Sequence, residues 1–254
     1  MIITLINPNT TASMTATAAE AARAVVAPGT VVRAVTSPTG PVSIESHYDE
    51  ALAVPGLMQA VAEGEASGSD AYVVACFGDP GLDAARELAT GPVIGIAEAA
   101  YHAASFVGRG FSVVTTLGRT IGRARDLAVH YGFAERCRGI RAVEIPVLAL
   151  ETDPDARARI TDECRRALAE DGSDAIVLGC AGMADLCAWI SDAVQAPVID
   201  GVAAATVFAE SLVRLGLRTS TATGEFAAPP PKPYTGLLSP FALRPAHPSI
   251  AATA

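Results

Sequence analysis

The sequence predicts an α/β protein built as two pseudo-symmetric halves, each a parallel sheet of about four strands flanked by helices, with the active site between them. Three observations carry this. Short β-rich runs alternate with amphipathic helical stretches along most of the chain, the pattern of parallel sheets joined by helical crossovers. A ten-residue motif occurs twice: Ser69-Asp70-Ala71-Tyr72-Val73-Val74-Ala75-Cys76-Phe77-Gly78 returns as Ser173-Asp174-Ala175-Ile176-Val177-Leu178-Gly179-Cys180-Ala181-Gly182. In each half the motif falls on the third predicted strand, so the repeat is architectural.

Taken in order, strands are expected near 2–6, 30–35, 71–76 and 92–96, then 111–115, 140–145, 174–180 and 197–200. Each is a short apolar or β-branched run bounded by glycine, proline or polar residues. Between them lie Ala-rich stretches with helical spacing, such as 12–26 and 160–169. The first four strand–helix units end near 107 and the second four run from 111 to 215. The expected organisation is therefore a first half over 1–107, a second over 108–220 and a Pro-rich, unpatterned C-terminal tail over 221–254. Ligands of open parallel sheets bind beyond the carboxyl ends of the strands. The ends of the first strands, Asn7-Pro8-Asn9-Thr10 and Thr115-Thr116, should therefore share a mouth with the two cysteine turns.

Composition narrows the function. The 254 residues carry a net charge of −9 with basic residues scattered, which disfavours nucleic acid and acidic membranes as partners. No apolar run reaches spanning length. The chain starts on a strand without a basic leader, and five cysteines, an odd number, do not make a disulfide framework. The expected compartment is the cytoplasm. Lys232 is the only lysine among 18 basic residues and lies in Ala227-Ala228-Pro229-Pro230-Pro231-Lys232-Pro233, a poor setting for a Schiff base. The chain lacks a GxxxxGK[ST] loop, and its four histidines have no metal-ligand spacing with the cysteines. Chemistry without cofactor or metal is expected, on a small-molecule substrate.

A single cysteine at a strand end is most simply a small apolar filler, and Cys137, Cys164 and Cys187 keep that reading: Cys137 in a charged turn, the others within helical patterns. A redox disulfide between Cys76 and Cys180 is a second alternative. Duplication favours chemistry for this pair. Both precede a glycine turn into an expected helix, whose positive end is expected to lower the thiol pKa. The amides following each cysteine, at Phe77, Gly78, Ala181 and Gly182, can stabilise an enolate-like oxygen. Two opposed proton-transfer groups are what inversion of a carbon centre requires. Asn9, Thr10, Thr115 and Thr116 are candidate ligand contacts, Thr10 equally a helix cap. Ser43-Ile44-Glu45-Ser46 follows a Pro/Gly-rich loop and either closes over the site or is a plain loop. Asp79 and Asp185 are expected to cap helix N-termini, and Arg119, Arg123 and Arg125 to form a solvated face.

With these residues in view, the chain resembles the aspartate/glutamate/hydantoin racemase superfamily over about residues 1–220, specifically its hydantoin and allantoin racemases. The resemblance rests on Ile6-Asn7-Pro8-Asn9-Thr10, Gly40-Pro41-Val42-Ser43-Ile44-Glu45-Ser46, Ala75-Cys76-Phe77-Gly78-Asp79-Pro80-Gly81-Leu82, Val113-Val114-Thr115-Thr116 and Leu178-Gly179-Cys180-Ala181-Gly182-Met183. The segment after Cys76 looks like the ring-substrate branch, whereas amino-acid racemases carry Cys-Asn-Thr there, and Cys180 lacks the Thr-His of glutamate racemases. Gly95-Ile96-Ala97-Glu98-Ala99-Ala100 and Val147-Leu148-Ala149-Leu150-Glu151 bring the chain nearest to the allantoin racemases. The resemblance implies a cofactor-independent racemase and homo-oligomer, with Cys76 and Cys180 as the acid/base pair. It further implies a substrate pocket of Asn9, Ser43, Ile44, Thr115 and Thr116, with the amides of Phe77 and Ala181 on the ring carbonyls. The alternatives are an enzyme like maleate isomerase or arylmalonate decarboxylase, and a non-catalytic small-molecule binder.

Overall fold

The structure is a computed structural model that describes residues 1–243. Strands β1 (Ile2–Asn7), β2 (Val31–Thr36), β3 (Ala71–Val74) and β4 (Val93–Gly95) form one all-parallel sheet in the order β2-β1-β3-β4. Strands β5 (Phe111–Thr115), β6 (Cys137–Ala142), β7 (Ala175–Leu178) and β8 (Val198–Ile199) form a second in the matching order β6-β5-β7-β8. The helices are α1 (Ala12–Val25), α2 (His47–Ala66), α3 (Leu82–Leu88) and α4 (Ile96–Val107), then α5 (Ile121–His130), α6 (Ala156–Asp171), α7 (Cys187–Val194) and α8 (Gly201–Arg214).

Side-chain alternation along the strands sorts the core into layers, as a period of two requires. Ile3, Leu5, Ala71 and Val73 of the first sheet, and Phe111, Val113, Ala175 and Val177 of the second, join one cluster shared by both halves. Their alternates point the other way. Ile6, Tyr72 and Val74 pack with α2 and α3, and Val114, Ile176 and Leu178 with α6 and α7. The shared layer is built from α1, α4, α5 and α8. Within it α4 packs on β7 and β8, while α8 packs on β1, β3 and β4. The last helix after each sheet, α4 or α8, thus lies against the strands of the other sheet.

The repeated Ser-Asp at the start of the motif has a structural role. Ser69 Oγ shares a hydrogen bond with Thr4 Oγ1 at 2.6 Å, and Ser173 Oγ with Ser112 Oγ at 2.7 Å. Asp70 accepts from the Ile2 N–H, and Asp174 from those of Arg109 and Gly110. Each pair pins β3 or β7 to the beginning of its central neighbour and so sets the register that brings the cysteines to matching strand ends.

One strand differs from expectation: β6 begins at Cys137, not near 140, and Cys137 is a strand residue instead of part of a turn. It is the edge strand of its sheet, half-buried apart from the exposed Arg138 and carrying a second arginine at Arg141, so its apolar signal is weak. The strong signal lies in Val143 and Ile145, which continue the pairing through their N–H groups to Thr115 O and Thr116 O. Of the Pro-rich tail, 244–254 lies outside the described residues. Its earlier part is tied to the first half, where Arg86 stacks on the Phe226 ring at 5.6 Å, and carries a short 3-10 turn over Gly236–Phe241.

Candidate active site

A cleft opens between the two sheets at their carboxyl ends, with an empty volume, mouth included, of about 590 Å³. Cys76 and Cys180 both line it, one from each half. The turns that carry them are copies. Asp79 N–H donates to Cys76 O at 3.0 Å and Met183 N–H to Cys180 O at 3.1 Å. Upstream, Ala75 N–H donates to Ile6 O and Gly179 N–H to Val114 O. Among the described residues the N–H groups of Phe77 and Ala181 donate to no protein acceptor, which leaves one donor beside each thiol for a substrate oxygen.

The thiols do not behave as expected. Burial pushes Cys76 well above the ordinary thiol range; the Gly78 N–H pulls it down, while Glu50, Cys180 and Asp79 add to the rise. Burial likewise pushes Cys180 up to about 11, against the Gly182 N–H and with Glu45. Burial is the cause, and the helix start expected to oppose it is absent at both sulfurs. Residues 77–81 separate Cys76 from α3, and a 3-10 turn over Ala181–Leu186 follows Cys180. Desolvation therefore outweighs any helix-end field.

Of the remaining candidates, Asn9, Ile44, Phe77, Thr115, Thr116 and Ala181 line the cleft. Asn9 is held by Asn7 Nδ2 and the Thr11 N–H, both donating to its Oδ1 at 2.9 Å. Ser43 does not line the cleft wall; its loop presents Ile44 instead. That loop is anchored on both sides. Thr10 donates to Pro41 O through its N–H and hydroxyl, and Val147 N–H of the second half donates to Glu45 Oε1 at 2.6 Å. Ser46 is the cap of α2, accepting from Asp49 N–H.

Two charged residues outside the expected site also face the cleft: Glu50 from α2 and Arg123 from α5. Arg123, expected on a solvated face, is only 31% exposed, and its Nε and Nη2 donate to Gly78 O at 3.0 and 2.6 Å. Met14 and Val147 complete the opposite wall. Met14, Glu50 and Arg123 carry no motif; they stand on α1, α2 and α5 and meet only in the folded chain.

Asp79 does cap a helix, but it is α4 instead of the adjacent α3. Its carboxylate accepts from the N–H groups of Ala97 and Glu98 at 3.1 and 3.0 Å and from the Tyr131 hydroxyl at 2.8 Å. A side chain on Gly95 would overlap this carboxyl, so glycine is required there. Asp185, in contrast, is exposed. Burial pushes the Asp79 carboxyl up to about 6 against its three donors. A folded-state pKa above the unfolded value of about 3.9 means that its stabilising contribution is complete below that value. It is lost as pH climbs through about 6. Asp79→Asn cannot titrate, so wild type should lose up to about 3 kcal/mol relative to the variant between pH 4 and pH 7. Urea unfolding at both pH values measures this; a constant gap would refute the assignment.

Comparison with known proteins agrees with this geometry. The sequence profile described as Asp/Glu/hydantoin racemase matches residues 3–209. A protein from Rhizobium meliloti named hydantoin racemase is 52% identical over 221 residues, 87% of this chain and 92% of that protein. The structure of allantoin racemase from Klebsiella pneumoniae superposes with a TM-score of 0.92 at 51% identity, covering 94% of this chain and 98% of that one. The maleate isomerase of Pseudomonas putida S16, at 22% identity and a TM-score of 0.63 over 85% of this chain and 93% of its own, is similar in fold alone.

Proposed function

Because the chain belongs to the Asp/Glu/hydantoin racemase family, we propose that it inverts C5 of a hydantoin ring by two-thiol acid/base chemistry. It is a racemase of hydantoin-type substrates, allantoin first among them, in keeping with 51% identity to the Klebsiella allantoin racemase. The observation that carries the thiol assignment is the cleft itself: copied turns from two halves bring Cys76 and Cys180 to one cavity.

In this reading one cysteine is a thiolate and the other a thiol. The thiolate removes the C5 proton, leaving a planar enolate whose negative oxygen meets the Phe77 or Ala181 N–H. The opposite thiol gives its proton to the other face of C5. The two sulfurs finish with their protonation exchanged, ready for the opposite enantiomer. Asn9, Ile44, Thr115 and Thr116 hold the ring between them. In deuterated water, (S)-allantoin and (S)-5-benzylhydantoin should lose optical activity, with solvent deuterium at C5 of the inverted product. Inversion without deuterium uptake would overturn the mechanism.

The raised thiols give the reaction its pH dependence. Below the thiol pKa the thiolate fraction grows tenfold per pH unit, so kcat/KM for inversion should climb about tenfold per unit between pH 7 and pH 9. A flat profile or a maximum near 7 would contradict buried, raised thiols. A reducing cytoplasm and a homo-oligomer also belong to this proposal. The odd number of cysteines supports the first, and the adjoining exposed Phe106 and Val107 at the end of α4 support the second.

A further inference from the structure

The thiol turns are copies, yet the walls beside them are not. A methyl group on Gly182 would meet Leu150 Cδ1 at 3.3 Å and Met14 Cε at 4.0 Å, both apolar. One on Gly78 would meet Glu50 Oε1 at 2.5 Å. On that side Arg123 adds its guanidinium, with Nε 3.4 Å from Glu50 Oε2. The cleft is therefore symmetric in its proton-transfer groups and asymmetric beside the two glycines, charged at Gly78 and apolar at Gly182, while Glu45, the charged neighbour of Cys180, has its Oε1 taken by the Val147 N–H.

Glu50 is poorly partnered for a half-buried carboxylate. Its side chain is 17% exposed, and among the described residues its closest basic groups are Arg123 Nε at 3.4 Å and the His47 ring at 3.8 Å, both beyond ordinary hydrogen-bond length. Arg123 spends Nε and Nη2 on Gly78 O instead. Burial accordingly holds the Glu50 carboxyl above its ordinary range, with Arg123 and His47 only partly opposing it. A carboxylate in this state is an acceptor awaiting donors. An acceptor beside a guanidinium matches an amide edge, where an N–H stands next to a carbonyl. A hydantoin ring presents such edges, whereas Leu150 Cδ1 and Met14 Cε, beside Gly182, are apolar carbons with no charge to offer an N–H.

We propose that Glu50, steered by Arg123, accepts a hydrogen bond from a ring N–H of the substrate and so fixes which side of the ring faces each half of the cleft. The proposal rests on the hydantoin reading above. Glu50 is then a specificity-determining residue that the duplication could not reveal, because its counterpart wall is apolar.

The test pairs protein variants with substrate variants. C5 hydrogen–deuterium exchange is measured for 5-benzylhydantoin and its N1-methyl and N3-methyl analogues, with wild type, Glu50→Leu and Glu50→Gln. In wild type, methylation of one of the two nitrogens should lower kcat/KM about 10- to 100-fold, because a half-buried acceptor is left unpaired and the methyl group is pressed against it. In Glu50→Leu, which keeps much of the volume but no acceptor, that penalty should collapse to within about threefold. Glu50→Gln keeps shape and a weaker neutral acceptor, and should fall between the two; it also serves should the leucine variant fail to fold. A merely structural Glu50 would slow all three substrates alike and leave the methylation penalty unchanged, overturning the proposal. So would a wild type that tolerates a methyl group on either nitrogen. Failure of the hydantoin reading itself would show separately, as absence of exchange with the parent compound in wild type.

Discussion

Replacing either Cys76 or Cys180 by serine should yield a folded protein that no longer inverts its substrate, with racemisation down by about 1000-fold or more. Serine keeps the size of cysteine, but its hydroxyl does not ionise in the range where a thiol can, so one face of C5 loses its proton-transfer group. The two variants should differ in an informative way. Each retains one sulfur and should exchange C5–H for deuterium only in the enantiomer whose proton faces that sulfur, returning it without inversion. Exchange should be faster in Cys76→Ser, because the Cys180 it retains is the more easily ionised thiol. Circular dichroism follows inversion, proton NMR in deuterated water follows exchange, and the thermal midpoint checks the fold. Near-wild-type inversion by either variant would refute the two-thiol assignment.

What the sequence discloses about this molecule, and what it hides, follows from how far each property reaches. The sheets and their order are legible because the repeated residues act locally. Ser69 and Ser173, Asp70 and Asp174 tie strand starts together in the same way in both halves. The cysteine turns are legible for the same reason. The exchange of α4 and α8 is not, since an amphipathic pattern says that a helix has an apolar face but not which sheet receives it. Glu50 and Arg123 stand on α2 and α5, in different halves, and no spacing rule joins residues that meet only after the halves close. The direction of the thiol shifts was beyond reach too. A helix-like pattern after a cysteine can be read from the chain, but depth of burial cannot, and burial decides the sign. Ser43 shows the same limit at the scale of one residue: a loop's position follows from its neighbours, while the residue it turns inward, here Ile44, follows from packing.

The same contrast between the halves predicts a large effect from a single methyl group. Ala75 precedes Cys76, but Gly179 precedes Cys180, at the otherwise matching position. The neighbouring strand ends explain it. Continuing the register one residue past Ile6–Val74 and Val114–Leu178 places Ala75 beside Asn7 and Gly179 beside Thr115, which is β-branched. A Cβ at 179 would lie 2.9 Å from Thr115 Cβ and 3.1 Å from Thr115 Cα. The second contact is with backbone, and β5 and β7 are already fixed by the Gly179 N–H donating to Val114 O at 2.8 Å. Gly179→Ala must therefore splay these strand ends, at a cost of about 1–3 kcal/mol for an overpacked site. Cys180 is the next residue and moves with them. A displacement near 1 Å of a reacting group costs about 100-fold in rate, so inversion should fall by that order while Ala75→Gly, which only removes a methyl group, stays within about fivefold. Urea midpoints and kcat/KM measured side by side separate the two effects. Should Gly179→Ala racemise at near-wild-type rate, close approach of Thr115 would not be what sets the Cys180 sulfur in place, and the strand-end geometry would lose its role in the chemistry.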